Sequence, residues 1–196
     1  MKITYRAGRK EDCSKLAELI HIASGGVVEF LYYELIPGQT PVQILAGNLA
    51  ADYDYHTFRD AIVAECEQKV IGMSLSYSSH FHCISDGMRK FFPEERLNHI
   101  KNIFASRVEN SLYLDTLCVD RDFRGKGIGR KIVSLTREKA REKGINTLSL
   151  IVLADNTDAQ KLYKRIGFEI VSHIEMDSHE LIPHKGGAFL MKCGSN

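Results

Sequence analysis

The sequence predicts an α/β protein of mixed α+β character, in which helices flank a β-sheet. Short apolar segments with strand character alternate along the chain with segments whose apolar residues recur at helical spacing. Residues 112–119 and 148–153 have the length and apolar content of buried strands, and a helical pattern follows each of them. We therefore expect a single domain over residues 1–196.

The first part of the chain predicts a strand, three helices and a hairpin. Thr40, Pro41 and Gln43 are the residue types of a helix start with a capping box. Gly72 is expected to mark a bulge in the hairpin. The predicted elements are a strand at 3–6, a helix from 11, a helix at 28–35, a short helix from 41, and strands at 60–67 and 70–79 joined by a turn at 68–69.

The second part predicts an irregular insertion and then alternating strands and helices. Pro93 and the two glutamates after it indicate a helix start within the insertion, which covers residues 80–110. Long insertions carry specificity more often than scaffold. The elements expected after it are a strand at 112–119, a helix ending near 143, a strand at 146–153, a helix from 157, and strands at 168–175 and 188–192.

The composition is that of an ordinary globular protein. Hydrophobic residues make up 44% and charged residues 26% of the 196 residues, and the formal net charge is +1. A chain so close to neutral produces no overall field that would recruit nucleic acid or a membrane surface, so neither is predicted as a partner. No apolar run is long enough to span a bilayer, and residues 1–9 do not form a signal peptide.

The five cysteines indicate reduced thiols. They are odd in number and have no paired spacing. Thiols of this kind are typical of proteins in a reducing compartment, where they serve as small apolar side chains. The sequence therefore predicts a cytoplasmic protein.

A basic, glycine-dense segment follows the predicted strand 112–119. Glycine lets the backbone approach a ligand closely, and a helix start presents unpaired N–H groups and the positive end of the helix dipole. The strand, the segment and the next helix start together predict a polyphosphate-binding loop, whereas the alternative is a tight turn with solvated charges. The glycines and basic residues are Arg124, Gly125, Lys126, Gly127, Gly129, Arg130 and Lys131.

Two common phosphate-binding motifs do not fit this segment. A nucleotide P-loop needs Gly-x-x-x-x-Gly-Lys followed by Ser or Thr, and no glycine here begins such a run. A dinucleotide fingerprint needs Gly-x-Gly-x-x-Gly, but Arg130 stands at the third glycine position. What remains is Arg124-x-x-Gly127-x-Gly129 directly after a hydrophobic strand. This pattern resembles the acetyl-CoA pyrophosphate motif of the GNAT superfamily of N-acetyltransferases.

A second segment resembles another GNAT motif. Residues 156–168 match Asn-x-x-Ala-x-x-Leu-Tyr-x-x-x-Gly-Phe at every fixed position. The two motifs and their surroundings cover residues 112–171. The resemblance implies a twisted, mixed sheet with helices on both faces, whose fourth and fifth strands splay apart to admit acetyl-CoA.

The resemblance also assigns the residues that hold the cosubstrate. It implies that the N–H of Val119 and its neighbours bind the pantetheine arm, and that Asn156 contacts this arm from the fifth-strand side. Asn156 is equally interpreted as a helix cap. Backbone N–H groups from 124 to 130 would hold the pyrophosphate. The predicted binding residues are Leu117, Cys118, Val119, Arg124, Gly125, Lys126, Gly127, Ile128, Gly129, Arg130 and Asn156.

Two residues carry the implied chemistry. In GNAT enzymes the tyrosine matching Tyr163 protonates the departing thiolate, and a phenol pKa of about 10 above a thiol pKa of about 8.5 suits this transfer. The alternative is a packing tyrosine. Asp115 interrupts an apolar strand where some family members carry an acid that helps to deprotonate the amine. Because aspartate is short, a water relay is expected, and a half-exposed strand residue or ion-pair partner is the alternative.

The resemblance implies an acetyl-CoA-dependent N-acetyltransferase that needs no metal and acts by direct attack of the amine. A small-molecule or peptide amine is the expected acceptor, and residues 29–34 with the insertion at 80–110 are expected to border it. Dimers are frequent among relatives, so a homodimer is one expected assembly. His80 and His82 lack a third metal ligand at suitable spacing. A non-catalytic acyl-CoA sensor or interaction protein and a nucleotide-binding module remain alternatives.

Overall fold

The computed structural model describes residues 2–52 and 55–195, and its centre is one mixed β-sheet. The strands are β1 (Ile3–Ala7), β2 (Ala61–Cys66), β3 (Lys69–Ser78), β4 (Leu112–Val119), β5 (Thr147–Leu153), β6 (Glu169–Ile174) and β7 (Ala188–Gly194). Over the described residues they form a 7-stranded sheet in the order β1-β2-β3-β4-β5-β7-β6. The pair β4–β5 is parallel, and every other neighbouring pair is antiparallel. The predicted fold class is confirmed.

Helices cover both faces of this sheet. They are α1 (Cys13–Ala23), α2 (Val27–Tyr32), α3 (Pro41–Ala51), α4 (Asp86–Phe91), α5 (Glu94–Ala105), α6 (Ile128–Glu142) and α7 (Thr157–Arg165). Val63 packs with α1 and α3 while its neighbour Ala64 packs with α6, because successive strand side chains point to opposite faces. Across residues 2–52 and 55–195, no helix is both long and apolar enough to cross a membrane.

The predicted helix ends are formed by local hydrogen bonds. The Thr40 hydroxyl accepts a bond from the Gln43 N–H at 3.3 Å, and the Thr40 N–H donates to the Gln43 side chain at 2.8 Å. This is the expected capping box of α3. Gly144 has a φ of 70°, and the Ile145 N–H bonds back to the Ala140 carbonyl at 2.9 Å. A left-handed glycine followed by such a bond ends α6 as predicted.

Three elements differ from the sequence prediction. The second helix ends at Tyr32 rather than near residue 35, because Glu34 takes a left-handed φ of 49° that no α-helix continues. The hairpin turn uses Glu67 and Gln68, both at positive φ, instead of residues 68 and 69. Helix α4 was not expected; Ser85 caps it by accepting the Met88 N–H at 3.2 Å.

Two bulges shift the register on either side of β3. Ala64 lies opposite Gly72 and Glu65 opposite Val70, which leaves Ile71 as an extra residue beside the glycine predicted to mark a bulge. On the other side Leu75 lies opposite Thr116 and Ser76 opposite Leu114, so that Asp115 is the extra residue of β4. A bulge bends its strand and redirects side chains, so this register shift sets the direction of the Asp115 carboxylate.

Strands β4 and β5 separate soon after they meet. They pair only at Leu112 with Leu148 and at Tyr113 with Ser149. The remainder of β4, from Leu114 to Val119, has no partner on its β5 side, although β3 continues to pair with it. This separation is the predicted splay of the fourth and fifth strands, and it opens the sheet at the carboxyl end of β4.

Candidate active site

A cleft of about 1380 Å³ occupies the gap between β4 and β5. Its phosphate-loop side is formed by the end of β4, residues 124–130 and α7. Its other side, here called the aromatic chamber, lies among α2, α3, α4 and β3. The chamber is defined by Leu31, Tyr32, Tyr55, His56, Tyr77, His82, Met88, Phe91, Phe92, Phe104, Tyr113 and Asp115.

Nearly all the predicted site residues come together on this cleft. Asp115, Leu117, Cys118, Val119, Arg124, Gly125, Gly127, Ile128, Gly129, Arg130, Asn156 and Tyr163 all line it. Lys126 does not: its ammonium donates to the Asp122 carbonyl at 3.0 Å and lies 5.1 Å from the centre of the Phe123 ring. The Lys126 side chain therefore bonds to the preceding loop, whereas the role of its N–H in holding a pyrophosphate stays a prediction.

The end of β4 presents free backbone donors to the gap. The Asp120 N–H bonds to the Ile71 carbonyl on the β3 side at 2.9 Å. N–H groups two residues apart point to the same edge of a strand, so those of Leu117 and Val119 point to the opposite edge. Because β5 has already separated there, these two N–H groups face the cleft. They are suited to bond an extended ligand as a neighbouring strand would.

The glycines of the loop serve two different purposes. Gly125 and Gly127 have φ values of 73° and 79°, a left-handed conformation that other residues rarely adopt. Gly127 is also the residue from which α6 starts. Gly129 lies inside the helix, where an added Cβ would be 3.8 Å from Val119 Cγ2 and 3.9 Å from Leu162 Cδ2. Gly129 therefore does not supply an unusual backbone conformation, and a methyl group at this position would make ordinary contacts with β4 and α7.

Arginines surround the start of α6. Arg124 and Arg130 both line the cleft and are exposed, and the Arg124 Nε donates to the Val119 carbonyl at 2.9 Å. Arg165, at the end of α7, also lines the cleft. Free N–H groups, the positive end of a helix dipole and nearby cations together form an anion-binding site.

Helix α7 places Asn156 and Tyr163 on the same cleft. The Asn156 side chain accepts the Ala159 N–H at 3.2 Å, so it is a helix cap that also borders the cleft. Tyr163 is buried and packs edge-on against Phe168 at 5.5 Å. Among the described residues none forms a hydrogen bond with the Tyr163 hydroxyl. Burial, followed by the nearby Cys118 thiol, raises the pKa of Tyr163, which therefore keeps its proton.

Asp115 is held as an ionised carboxylate at the floor of the aromatic chamber. The Tyr77 hydroxyl donates to its Oδ1 at 2.9 Å, and the Thr116 hydroxyl donates to its Oδ2 at 2.9 Å. His56 Nε2 lies 3.4 Å from the same Oδ2. Burial acts to raise the pKa of Asp115, but His56 and the two hydroxyls outweigh it and leave that pKa lowered. A carboxylate of lowered pKa is a poor proton acceptor, which weakens the prediction that Asp115 itself is the base.

His56 is a site residue that sequence reasoning missed. It lies between α3 and β2, is half-buried and lines the cleft beside Asp115. Burial acts to lower its pKa, but the bond and charge of Asp115 and the charge of Asp60 leave that pKa raised above 6.5. An imidazole oriented by a carboxylate is the usual arrangement of a general base with its positioning group. No motif or spacing around residue 56 identifies it, since its partner lies on a distant strand.

The residues expected to border the acceptor are only partly in the cleft. Tyr32 lines the chamber, whereas the Glu29 carboxylate lies 3.1 Å from His21 Nε2. His82 also lines the chamber and is buried, and its Nε2–H donates to the Ile103 carbonyl at 3.0 Å. Across residues 2–52 and 55–195 no group of three or more His, Cys, Asp or Glu residues could hold a metal ion.

Comparison with known proteins agrees with this geometry. Thialysine N-epsilon-acetyltransferase of Bos taurus is 38% identical over 65 residues, which are 33% of this chain and 38% of that protein. This chain thus spans less than two thirds of that relative's length. A crystal structure of an acetyltransferase superposes with a TM-score of 0.70 at 25% identity, over 98% of this chain and 100% of the other. PaiA N-acetyltransferase of Thermoplasma acidophilum, solved with coenzyme A, superposes with a TM-score of 0.57 at 16% identity over 99% of each chain, which shows the fold alone.

The family assignment rests on a match to a sequence profile. The sequence profile of the Acetyltransferase (GNAT) family matches residues 31–168, which is more than half of the chain and includes both motifs. The splayed strands, the glycine loop and the tyrosine of α7 all lie within this range. The chain belongs to the GNAT family of acetyltransferases.

Proposed function

We propose that this protein transfers an acetyl group from acetyl-CoA to the primary amine of an acceptor by direct attack. The observation that carries the proposal is the meeting of three features in one cleft. These are the free N–H groups of Leu117 and Val119, the glycine loop at the start of α6, and the buried Tyr163 hydroxyl. The N-acetyltransferase name of the Bos taurus relative supports the same reaction.

The phosphate-loop side suits two parts of acetyl-CoA, the pyrophosphate and the pantetheine arm. Exposed arginines and free helix N–H groups match the charge of a pyrophosphate. The β4 edge matches the amide-containing pantetheine arm, because Val119 and Leu117 offer N–H donors in the spacing of a strand. When it is bound, acetyl-CoA supplies the thioester whose acetyl group is transferred. The N–H of Val119 is the donor proposed to polarise the thioester carbonyl.

The aromatic chamber supplies the proton acceptor. An ammonium must lose one proton before its nitrogen can attack, and the new C–N bond then requires loss of a second. His56, in its neutral form, takes the first proton, and Asp115 fixes its orientation and stabilises the resulting cation. As the C–S bond breaks, Tyr163 protonates the departing sulfur and regains its proton from the nitrogen directly or through water. Overall, ammonium and thioester give amide, thiol and one proton, which His56 releases to solvent.

The test is thiol release from acetyl-CoA in the presence of a panel of primary amines, with calorimetry to measure acetyl-CoA binding. We expect acetyl-CoA to bind, ATP and NAD not to compete, and at least one amine to release thiol in step with its own acetylation. Acetyl-CoA binding without turnover on any amine would support the acyl-CoA sensor instead. Competition by ATP or NAD would favour the nucleotide-binding alternative.

A further inference from the structure

The aromatic chamber is walled by rings packed against one another. Tyr32 meets Phe92 edge-on with ring centres 5.0 Å apart, and the Tyr55 and Tyr77 rings lie 4.9 Å apart. Tyr77 in turn lies 5.6 Å from Tyr113. Such a wall offers broad apolar faces with few polar atoms, and it is suited to bury an apolar or aromatic group.

Several polar groups of this wall are already engaged. The Tyr32 hydroxyl accepts a bond from the Asn48 amide at 3.4 Å, and the Tyr77 hydroxyl donates to Asp115. The ring of His82 lies 4.0 Å from Tyr113, and burial lowers the pKa of His82, which therefore remains neutral. The wall thus presents few free hydrogen-bonding groups for a sugar; one is His82 Nδ1, which is buried and has no partner among the described residues. The titratable group beside Asp115 is His56, and in the neutral form that the proposed reaction requires it adds no repelling cation.

The chamber provides balanced charge for a single ammonium. Among the described residues that line the cleft, the acids are Asp115 and Asp158. Asp158 belongs to the phosphate-loop side, at the exposed start of α7, where its carboxylate lies 3.6 Å from the Lys161 ammonium. A second ammonium carried into the chamber would meet aromatic and aliphatic side chains, and burying an unpaired charge is costly.

We propose that the acceptor is a monocationic primary amine on an apolar or aromatic body, of the arylalkylamine or alkylamine type. Its nitrogen lies at Asp115 and His56, and its body lies against Tyr32, Phe91 and Phe92. This inference rests on the proposed function, because it places the acceptor in the same cleft as acetyl-CoA. The proposal excludes polyamines, aminoglycosides and dibasic amino acids as preferred acceptors, because the described chamber has no acidic partner for their additional positive charges.

The first experiment compares two classes of amine. At saturating acetyl-CoA, kcat/KM is measured for 2-phenylethylamine and hexylamine and for spermidine, lysine and thialysine. We expect the apolar monoamines to exceed the others by about tenfold or more, the scale at which burial of an apolar group discriminates between substrates. A polyamine or dibasic amino acid acetylated as well as the monoamines would overturn this inference while leaving the proposed function intact.

A binding measurement keeps the two proposals separate. The same amines are titrated calorimetrically into the protein saturated with CoA, a mixture in which no acetyl group can be transferred. Tighter binding of 2-phenylethylamine than of spermidine supports the chamber's specificity even if no amine is acetylated, an outcome that would refute the proposed function alone. Absence of binding by the monoamines, or preference for spermidine, refutes the specificity.

Matched variants locate the effect in the chamber. Phe91 lines the chamber and is 39% exposed, whereas Tyr33 is 43% exposed and does not line the cleft. We expect Phe91→Ala to raise KM for 2-phenylethylamine severalfold without changing KM for acetyl-CoA, and Tyr33→Ala to change neither. Met88 is half-buried in α4. Met88→Glu adds a carboxylate to this part of the chamber wall and should shift the preference toward spermidine. Equal effects of Phe91→Ala and Tyr33→Ala, or an unchanged preference in Met88→Glu, would contradict the assignment.

Discussion

At the scale of single residues, the arrangement of His56 and Asp115 separates two tasks. Asp115 is bonded by Tyr77, Thr116 and His56, so it stays ionised and fixed in place. His56 Nε2 lies beside this carboxylate, and His56 also lines the cleft. The imidazole, whose pKa lies nearer to neutrality than that of a bound carboxylate, is the better proton acceptor of the two.

The pH dependence of the reaction should report His56. The charges of Asp115 and Asp60 raise the pKa of His56 above 6.5 against the effect of burial. Since neutral His56 is the proposed base, kcat/KM should rise with pH through an inflection above 6.5. In Asp115→Asn the burial remains but the largest raising influence is lost, so the inflection should move to lower pH. Full pH–rate profiles of both proteins measure this shift.

The same pair makes a matching contribution to stability. A raised pKa in the folded state stabilises the fold fully below the unfolded value of 6.5, and this stabilisation is lost as pH rises through the folded value. Denaturant unfolding of wild type and His56→Gln should therefore differ most in acid and least in alkali, provided that Asp115 stays ionised. In the pH–rate profiles, an inflection of kcat/KM that stays at the same pH in Asp115→Asn would exclude His56 as the titrating group.

Tyr163→Phe should affect turnover without affecting the fold. The described structure gives the Tyr163 hydroxyl no hydrogen-bond partner, so its loss leaves no buried group unpaired. We expect kcat to fall about a hundredfold or more, the usual contribution of a positioned proton donor, while the calorimetric Kd of acetyl-CoA stays unchanged. Turnover equal to wild type would remove Tyr163 from the reaction and leave it a packing residue against Phe168.

At the scale of elements, both ends of α6 depend on a left-handed glycine. Gly127 at the start has a φ of 79° and Gly144 after the end has a φ of 70°, and no atom lies within 4 Å of a Cβ added at either position. The two glycines therefore differ in what they face and not in their local conformation. Only Gly127 lines the cleft.

Gly127→Ala and Gly144→Ala form a matched pair. Each should lower the free energy of unfolding by about 1 kcal/mol, the cost of placing an alanine in the left-handed region. Only Gly127→Ala should also weaken acetyl-CoA binding, because it disturbs the N–H groups that begin α6. Denaturant unfolding and calorimetry measure the two effects. Equal loss of acetyl-CoA affinity in both variants would show that helix stability, rather than the loop, controls binding.

Sequence reasoning could predict the elements that are defined by neighbouring residues, but not those that depend on contacts between distant parts of the chain. The glycine loop and the capping box of α3 are defined by neighbouring residues, so their spacing is visible in the chain itself. Helix α4 has no buried residue, hence no apolar period that would reveal it. The pairing of His56 with Asp115 depends on the β4 bulge and on the path of the chain between α3 and β2. Neither leaves a local pattern in the sequence.

At the scale of the whole molecule, the sheet is paired on one side of β4 and open on the other. The N–H groups of Leu117 and Val119 face the gap, whereas the Cys118 N–H lies on the β3 edge with that of Asp120. Alternate N–H groups of β4 thus lie in different environments: that of Cys118 faces β3, and those of Leu117 and Val119 face the cleft.

Amide hydrogen exchange should reveal this alternation. In the free protein the amides of Leu117 and Val119 should exchange faster than that of Cys118, because unpaired N–H groups are not protected. Acetyl-CoA should slow the first two and leave Cys118 nearly unchanged, and ATP should slow none. Residue-resolved NMR measures the rates, with Cys118 as the internal control. Uniform exchange along residues 117–119 would contradict a one-sided ligand edge.

Helix α4 forms part of the chamber wall yet buries no side chain, and the consequence concerns how such a protein changes over generations. Substitutions in a wall segment that has no fully buried side chain cost less folding free energy than substitutions in the core. Selection can therefore alter residues 86–91, and with them the shape and charge that a substrate meets, without first gaining stability elsewhere. Laboratory evolution toward new amines should accumulate its early changes in this helix, while β4 and the start of α6 remain as they are.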